Sequence, residues 1–233
     1  HAHSEVKEHS GLGANIFWGG PDGFDLEKRR SVIDEHFLGS SSVADLDRDG
    51  RLVLVHDPSA PEKPGQVDQL MVYYGTDDGF DVSRRTRIPK PGYSQEHALA
   101  DLNDDGWLDI AHTSRSENYL RILWGGRRGF GASRSQRLKL AGALGLSIAD
   151  LDADGRLDLV GSTYADPIEG PRDMGSLIFW GHQDGYRHSR AQWLPGFSPI
   201  GRTVADFDGD GHLDLFSPQH TGEFTREDLA CHI

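Results

Sequence analysis

Short apolar segments separated by glycine and acidic residues recur along the whole chain. Residues 157–160 (LDLV) alternate apolar and polar positions, the pattern of a half-buried strand. Residues 147–149 precede this segment across an acidic loop, and residues 176–180 and 186–194 follow it as predicted third and fourth strands. A glycine-containing turn at 181–185 separates the last two. The pattern predicts a unit of four short antiparallel strands.

Two motifs repeat four times with the same period. The acidic motif reads ADLDRDG, ADLNDDG, ADLDADG and ADFDGDG, and its first aspartates are spaced by 56, 49 and 56 residues. The second motif is an aromatic residue and a glycine, with another aromatic residue six positions after the first. It begins at Trp18, Tyr74, Trp124 and Trp180. Because both motifs recur with the same spacing, they predict an internal structural repeat.

A repeated four-stranded antiparallel unit of about 50 residues is typical of a propeller blade. The two motifs resemble those of the FG-GAP or VCBS repeat family, the blade type of the integrin α-subunit propeller, over nearly the whole chain. The resemblance implies an all-β fold, a β-propeller of four-stranded antiparallel blades with four repeats in this chain. It also implies bound calcium, but it does not specify a function, because the family includes adhesion proteins, lectins and enzyme accessory domains.

The ends of the repeat leave the number of blades open. The chain opens on a third-strand motif at residues 14–19 and stops where the next third strand is due. The two partial units could close a four-bladed ring, which would remove exposed sheet edges. The favoured alternative is part of a larger, commonly seven-bladed, propeller. Either way, residues 14–233 are expected to form one propeller domain or propeller fragment, and residues 1–13 an N-terminal extension or tag remnant.

The acidic motifs offer the oxygen ligands that calcium prefers, six to eight at about 2.3–2.6 Å. Counting from the first aspartate, side chains at positions one, three, five and nine and the carbonyl at position seven can face one ion, and glycine at position six permits a sharp turn. The predicted ligands are Asp45, Asp47, Asp49 and Arg51 in loop one; Asp101, Asn103, Asp105, Trp107 and Asp109 in loop two; Asp150, Asp152, Asp154, Arg156 and Asp158 in loop three; and Asp206, Asp208, Asp210, His212 and Asp214 in loop four.

Loop one departs from this pattern. Its position nine is Val53, which has no oxygen to offer, so three calcium sites and a fourth weak or empty one are expected. Four bound calcium ions would change the formal charge from −13 to −5, which would relieve repulsion between the carboxylates. An EF-hand is excluded, because position twelve is His56, His112, Gly161 or Ser217 where an EF-hand needs a bidentate acid.

Composition and short motifs exclude several classes of partner and enzyme. The net charge of −13 argues against nucleic acid and anionic membrane surfaces as partners, and no apolar stretch approaches the roughly 18 residues of a membrane helix. A single cysteine, Cys231, allows no intrachain disulfide. Neither a Gly-x-Ser-x-Gly nor a His-Glu-x-x-His motif occurs, and the best-spaced carboxylates are predicted calcium ligands. The sequence therefore favours binding over catalysis.

The loops joining strands two and three predict a ligand-binding face opposite the calcium loops. Residues 57–69, 113–118, 162–175 and 218–228 differ in length and composition, and scaffold proteins commonly carry function on such loops. The candidate ligand-binding residues are His56, His112, Arg115, Tyr164, Arg172 and His220. The competing interpretation of each histidine is an ordinary polar residue at a strand end.

Three functions stay open. The leading hypothesis is a calcium-stabilised secreted or cell-surface binding or adhesion module, extracellular or periplasmic, that recognises carbohydrate or protein. The second is a polysaccharide-active enzyme, lyase or hydrolase, or its propeller portion, with histidine and tyrosine as acid and base. The third is a structural propeller fragment that self-associates through open sheet edges.

Overall fold

The computed structural model describes residues 14–24, 30–33, 40–46, 48–57, 69–76, 79–89, 96–114, 117–131, 133–164, 175–196, 199 and 201–218. Within these ranges the chain forms five antiparallel sheets in sequence order, which we call sheets I to V, and one short hairpin. The only helical element in the same ranges is a 3-10 turn, His188–Arg190. The predicted all-β class is therefore confirmed.

Sheets II, III and IV are four-stranded meanders in which each strand pairs with the next in the chain. Sheet II contains β5 (Ser41–Ala44), β6 (Val53–His56), β7 (Gln69–Thr76) and β8 (Gly79–Pro89). Sheet III contains β9 (His97–Ala100), β10 (Asp109–Ser114), β11 (Tyr119–Leu123) and β12 (Ser135–Lys139). Sheet IV contains β13 (Ala143–Ala149), β14 (Asp158–Thr163), β15 (Ser176–Phe179) and β16 (Ala191–Leu194). These sheets confirm the predicted four-stranded antiparallel unit.

Sheets I and V have two strands each. Sheet I pairs β1 (Ala14–Phe17) with β4 (Arg30–Ile33), and the hairpin of β2 (Gly19–Gly20) and β3 (Gly23–Phe24) lies between them in the chain. Sheet V pairs β17 (Thr203–Ala205) with β18 (Asp214–Phe216). Sheet I thus holds strands three and four of the repeat and sheet V strands one and two. The first strands β5, β9, β13 and β17 contact one another in succession. The number of blades and a closed ring stay predictions.

The core lies between successive sheets. The second strands β6, β10 and β14 are buried along their whole length, as expected for strands covered on both faces. Val55 and Leu70 of sheet II pack with Ile110 of sheet III, and Leu120 of sheet III packs with Leu159 of sheet IV. Sheets II and III, and sheets III and IV, therefore each bury a separate apolar layer between them.

The second aromatic residue of the second, third and fourth aromatic-glycine motifs packs against the preceding part of the chain. Phe80 stacks on Trp18 with ring centroids 6.1 Å apart, and Phe130 packs against the core between sheets II and III. Tyr186 is 2% exposed in the core between sheets III and IV, and its hydroxyl donates to the Leu157 carbonyl at 2.7 Å. These three residues therefore join their repeats to the one before.

The fourth strand of sheet IV is shorter than predicted. The sequence predicts a strand over residues 186–194, whereas β16 begins at Ala191. Tyr186 is buried against sheet III and the 3-10 turn follows it, so the chain joins the edge of sheet IV only after that turn. The tertiary contact of Tyr186 overrides the local strand pattern.

The glycine of the second, third and fourth aromatic-glycine motifs lies directly against the residue that precedes the second strand of its own sheet. A Cβ atom on Gly75, Gly125 or Gly181 would lie 2.3, 2.0 or 2.5 Å from a leucine carbonyl oxygen, that of Leu52, Leu108 or Leu157 respectively. No side chain fits in that space, so close backbone approach explains the glycine.

We expect Gly181→Ala to lower the free energy of unfolding by about 1–3 kcal/mol, because the added methyl group forces the third strand away from Leu157. Urea unfolding in calcium buffer measures this change. Gly131→Ala is the matched control, since a Cβ there meets nothing within 4 Å. Equal unfolding midpoints for the two variants would contradict the close-approach explanation.

Candidate metal centre

The four acidic loops share one backbone conformation. The residues at positions four and six all have positive φ angles. At position four these are Arg48 (60°), Asp104 (58°), Ala153 (57°) and Gly209 (78°), and at position six they are Gly50 (85°), Gly106 (85°), Gly155 (87°) and Gly211 (92°). The turn at position six follows from its glycine, whereas Arg48 and Ala153 at position four give no signal for a left-handed conformation.

The aspartates at positions one and five hold this loop conformation through hydrogen bonds. In loop three, Asp150 Oδ1 accepts from the Asp154 amide at 3.1 Å and Asp150 Oδ2 from the Gly155 amide at 3.0 Å. Asp154 Oδ1 accepts from the Arg156 amide at 2.8 Å. The bond from position six to position one recurs in the other loops, with distances of 3.0 Å at Gly50, 2.7 Å at Gly106 and 2.9 Å at Gly211. Loop one therefore folds like the others despite its incomplete ligand set.

The aspartate at position nine connects the acidic loop to the aromatic-glycine motif. Asp158 is buried; its Oδ2 accepts from the Leu151 amide at 2.8 Å and its Oδ1 from the Gly181 amide at 2.7 Å. Asp109 makes the same contacts, 2.9 Å to the Leu102 amide and 2.7 Å to the Gly125 amide. One carboxylate thus fixes the start of the loop and the end of the third strand.

Loop one lacks this connection. Val53, at its position nine, is 1% exposed in the apolar core between sheets II and III. There, β7 continues through Tyr74 and Gly75 to Thr76, whereas β11 and β15 end before their tryptophans. Asp45 Oδ1 is buried and has no hydrogen-bond partner among the described residues, which leaves an acceptor for a cation. Asp47 lies outside the described residues.

The donor atoms of loops three and four fit a calcium ion. Carboxylate oxygens of Asp150, Asp152 and Asp158 lie within 4.8 Å of one another, as do those of the three aspartates 206, 208 and 210. Two oxygens bound to one calcium ion can lie at most about 5 Å apart. Because the side-chain donors are carboxylate oxygens, the set suits a hard cation better than zinc, which favours nitrogen and sulfur.

Burial and mutual repulsion raise the free energy of the ionised, metal-free carboxylates. Burial raises the pKa of Asp109 to about 6 against the hydrogen bonds from Gly125 and Leu102, and the charge of Asp105 adds to the increase. Burial likewise raises the pKa of Asp158. A bound cation would favour the ionised form of both groups and remove this cost.

Neighbouring acidic loops contact each other through positions four and seven. Arg48 of loop one lies over the Trp107 ring of loop two, with its Cζ 5.7 Å from the ring centroid. Asp104 of loop two pairs with Arg156 of loop three at 3.3 Å between Oδ2 and Nη1. Loops one, two and three thus contact one another in succession through the side chain of the left-handed residue at position four.

The opposite ends of the strands bury most of the ligand candidates that the structure describes. His56 is 3% exposed and pairs with Ser41 at 2.9 Å between Nδ1 and Oγ, and His112 is 0% exposed and lies opposite His97 in the register of β10 and β9. Tyr164 is partly buried at the end of β14. Arg115, Arg172 and His220 lie outside the described residues. Ligand binding by these side chains stays a prediction.

The structure also contains a polar cluster at the same strand ends, which the sequence did not predict. Glu96 Oε2 accepts from the Leu146 amide at 2.8 Å, and Thr113 Oγ1 donates to the Leu144 carbonyl at 2.7 Å, which links sheets III and IV. Arg202, just before β17, reaches the Ser176 hydroxyl of sheet IV at 3.4 Å from its Nε. Burial raises the pKa of Glu96 and lowers that of Arg202 to about 10. Glu96 and Arg202 come from different repeats and share no motif, so no sequence signal joins them.

Residues 101–161, from the first aspartate of loop two to the second strand after loop three, match the family model described as an FG-GAP-like repeat. The chain carries an FG-GAP-like repeat. Repeats of this family generally bind calcium, and acidic loops two and three lie within the matched residues. The family resemblance expected from the two motifs is confirmed.

Among solved structures, the chain is similar to the crystal structure of the biofilm matrix protein Bap1 of V. cholerae. The match has 16% sequence identity and a TM-score of 0.48, and it covers 88% of this chain and 32% of that protein. The chain thus spans about a third of the length of Bap1. The sequence matches no curated protein. In the described part of the chain, no helix has the length and apolar character needed to cross a membrane.

Substitution of a ligand in the FG-GAP-like segment should remove one calcium ion. We expect Asp101→Ala, at position one of loop two, to bind one calcium fewer than the unmodified chain at saturating calcium, as measured by metal analysis after equilibrium dialysis. Asp104→Ala in the same loop is the control, because position four faces the next loop and should leave the calcium content unchanged. Full calcium content in Asp101→Ala would contradict the ligand assignment.

Calcium binding should release protons near pH 6. Because the folded, metal-free Asp109 has its pKa raised from 3.8 to about 6, it contributes stability that declines as pH rises from about 4 to about 6, and calcium must displace its proton. We expect release of about half a proton from this group at pH 6 and almost none at pH 8. Titration calorimetry in buffers of different ionisation enthalpy measures it. A heat independent of buffer at pH 6 would refute this expectation.

Proposed function

We propose that the protein is a calcium-stabilised secreted or cell-surface binding module that recognises a carbohydrate or a protein through the face opposite the acidic loops. The observation that carries the proposal is the shared conformation of the four acidic loops, with left-handed residues at positions four and six. Calcium in these loops is structural: the carboxylates at positions one, five and nine already hold backbone amides, and an ion neutralises their charge. Metal-stabilised loops on one face leave the other face available for recognition.

An extracellular location supports this use of calcium. Extracellular modules commonly bind calcium at about 10⁻⁴–10⁻³ M, which matches the calcium concentration outside cells and would leave such sites largely empty in the cytosol. A chain with a formal charge of −13 also benefits from the added positive charge. We therefore place the protein outside the cytoplasm, extracellular or periplasmic.

The opposite face has a rigid base for variable loops. Glu96, Thr113 and Arg202 connect sheets III, IV and V through the hydrogen bonds described above, and Ser40 Oγ contacts His97 Nδ1 at 2.6 Å between sheets II and III. Polar contacts of this kind between neighbouring sheets hold them in a fixed arrangement. Loops that extend from such a base can vary in sequence without loss of the fold.

A glycan array and a protein pull-down, both in calcium buffer, test the proposed function. We expect a ligand whose binding weakens about tenfold in Tyr164→Ala, at the opposite face, because loss of an aromatic contact costs roughly that much. Arg187→Ala, an exposed position between the third strand of sheet IV and its 3-10 turn, is the control and should bind normally. The absence of any ligand, with the protein shown to be folded and calcium-loaded, would count against a binding module.

A further inference from the structure

A cleft of about 460 Å³ opens between sheets II and III on the side of the acidic loops. Tyr74 and Thr86, on β7 and β8, form one wall, and their hydroxyls lie 3.1 Å apart. The other wall comprises Trp107 of loop two and the turn after β11 with Arg127, Arg128 and Phe130. The cleft has the size of a site for a small ligand.

The walls combine aromatic rings with guanidinium groups. Trp107, Tyr74 and Phe130 are each partly exposed, whereas Arg127 and Arg128 are exposed at the rim. The chain has a formal charge of −13, so its net charge repels anions. An anion that binds in the cleft must therefore be attracted by the local positive charge of the two adjacent arginines. Rings offer flat apolar surface, and guanidinium groups pair with carboxylate or sulfate through two parallel hydrogen bonds.

We propose that this cleft binds an acidic carbohydrate, with its sugar rings against Trp107 and Tyr74 and its carboxylate or sulfate groups on Arg127 and Arg128. A pyranose ring has an apolar face of C–H groups that packs on an aromatic ring, and its acidic substituent lies at the ring edge, where the rim arginines are. A cleft of this volume accommodates one or two sugar residues. The lining of the cleft therefore suits a saccharide that has both an apolar face and a negatively charged group.

Loop two sets the position of the aromatic wall. The Trp107 amide donates to Asp105 Oδ1 at 2.9 Å, and Arg48 of loop one lies over the same ring. The hydrogen bond fixes the backbone of Trp107, and Arg48 contacts one face of its indole. The cleft lies on the face of the acidic loops, so this inference does not depend on recognition by the opposite face.

Titration calorimetry of the full chain in calcium buffer tests the proposal. The probes are a galacturonic acid trisaccharide, a sulfated heparin-type tetrasaccharide, a neutral galactose trisaccharide and triglutamate. We expect at least one acidic saccharide to bind about tenfold more tightly than both the neutral saccharide and the peptide. Comparison of the two acidic probes identifies carboxylate or sulfate as the preferred group.

Three variants locate the site. The exposed double variant Arg127→Ala/Arg128→Ala should weaken acidic saccharide binding about tenfold or more and leave neutral saccharide binding unchanged. Trp107→Ala should weaken the binding of both kinds of saccharide. Arg137→Ala is the matched control, because Arg137 also lies over an aromatic ring, 5.5 Å from the Tyr119 centroid, but outside the cleft.

Three results would overturn the proposal. These are no binding of either acidic saccharide to folded protein, acidic binding that the double arginine variant leaves intact, and triglutamate binding as tight as that of the saccharides. The last result would assign the cleft to an acidic peptide. The double arginine variant changes only exposed side chains, so its result stands even if Trp107→Ala fails to fold.

Discussion

The carboxylate at position nine of the acidic loop is the interaction on which each complete repeat depends. In sheets III and IV it accepts one backbone amide from the start of its own loop and one from the aromatic-glycine motif. These two motifs are far apart in the sequence, and this group makes them one unit. It is also a predicted metal ligand and is buried at a cost, as the raised pKa of Asp109 shows. A cation bound in the same loop would offset the free-energy cost of burying this carboxylate, whose contacts hold the loop and the sheet together.

Contacts between repeats follow from the same loops. Position four of one loop reaches position seven of the next, as a cation–π contact at Arg48 and Trp107 and as an ion pair at Asp104 and Arg156. The second aromatic residues of the third and fourth motifs, Phe130 and Tyr186, pack into the core between their own sheet and the preceding one. The exposed pairs stabilise little by themselves, so the apolar layers supply most of the stability and the loops fix the register.

The sequence predicted the repeat, the four-stranded unit and the acidic loops, because the two motifs that mark them occur four times in register. Other features depended on packing between sheets and left no local signal. Position four is left-handed in residues as different as Arg48 and Ala153, and the start of β16 was displaced because Tyr186 is buried elsewhere. No local pattern marks the pair Arg127 and Arg128 as part of a site, since only the fold brings it beside Trp107. The hydrogen bond from the Gly181 amide to Asp158 likewise could not be predicted from the sequence, because the fold brings the two residues together.

Thermal unfolding in about 2 mM calcium and again in excess chelator tests the central claim that the acidic loops are structural metal sites. Three or four sites with affinities near 10⁻⁴ M would together stabilise the fold enough to raise the midpoint by about 10 °C or more. A fall of that size on chelation, reversed by added calcium, is the result we predict. An unchanged midpoint would contradict the account, because the buried and clustered carboxylates would then be stable without an ion.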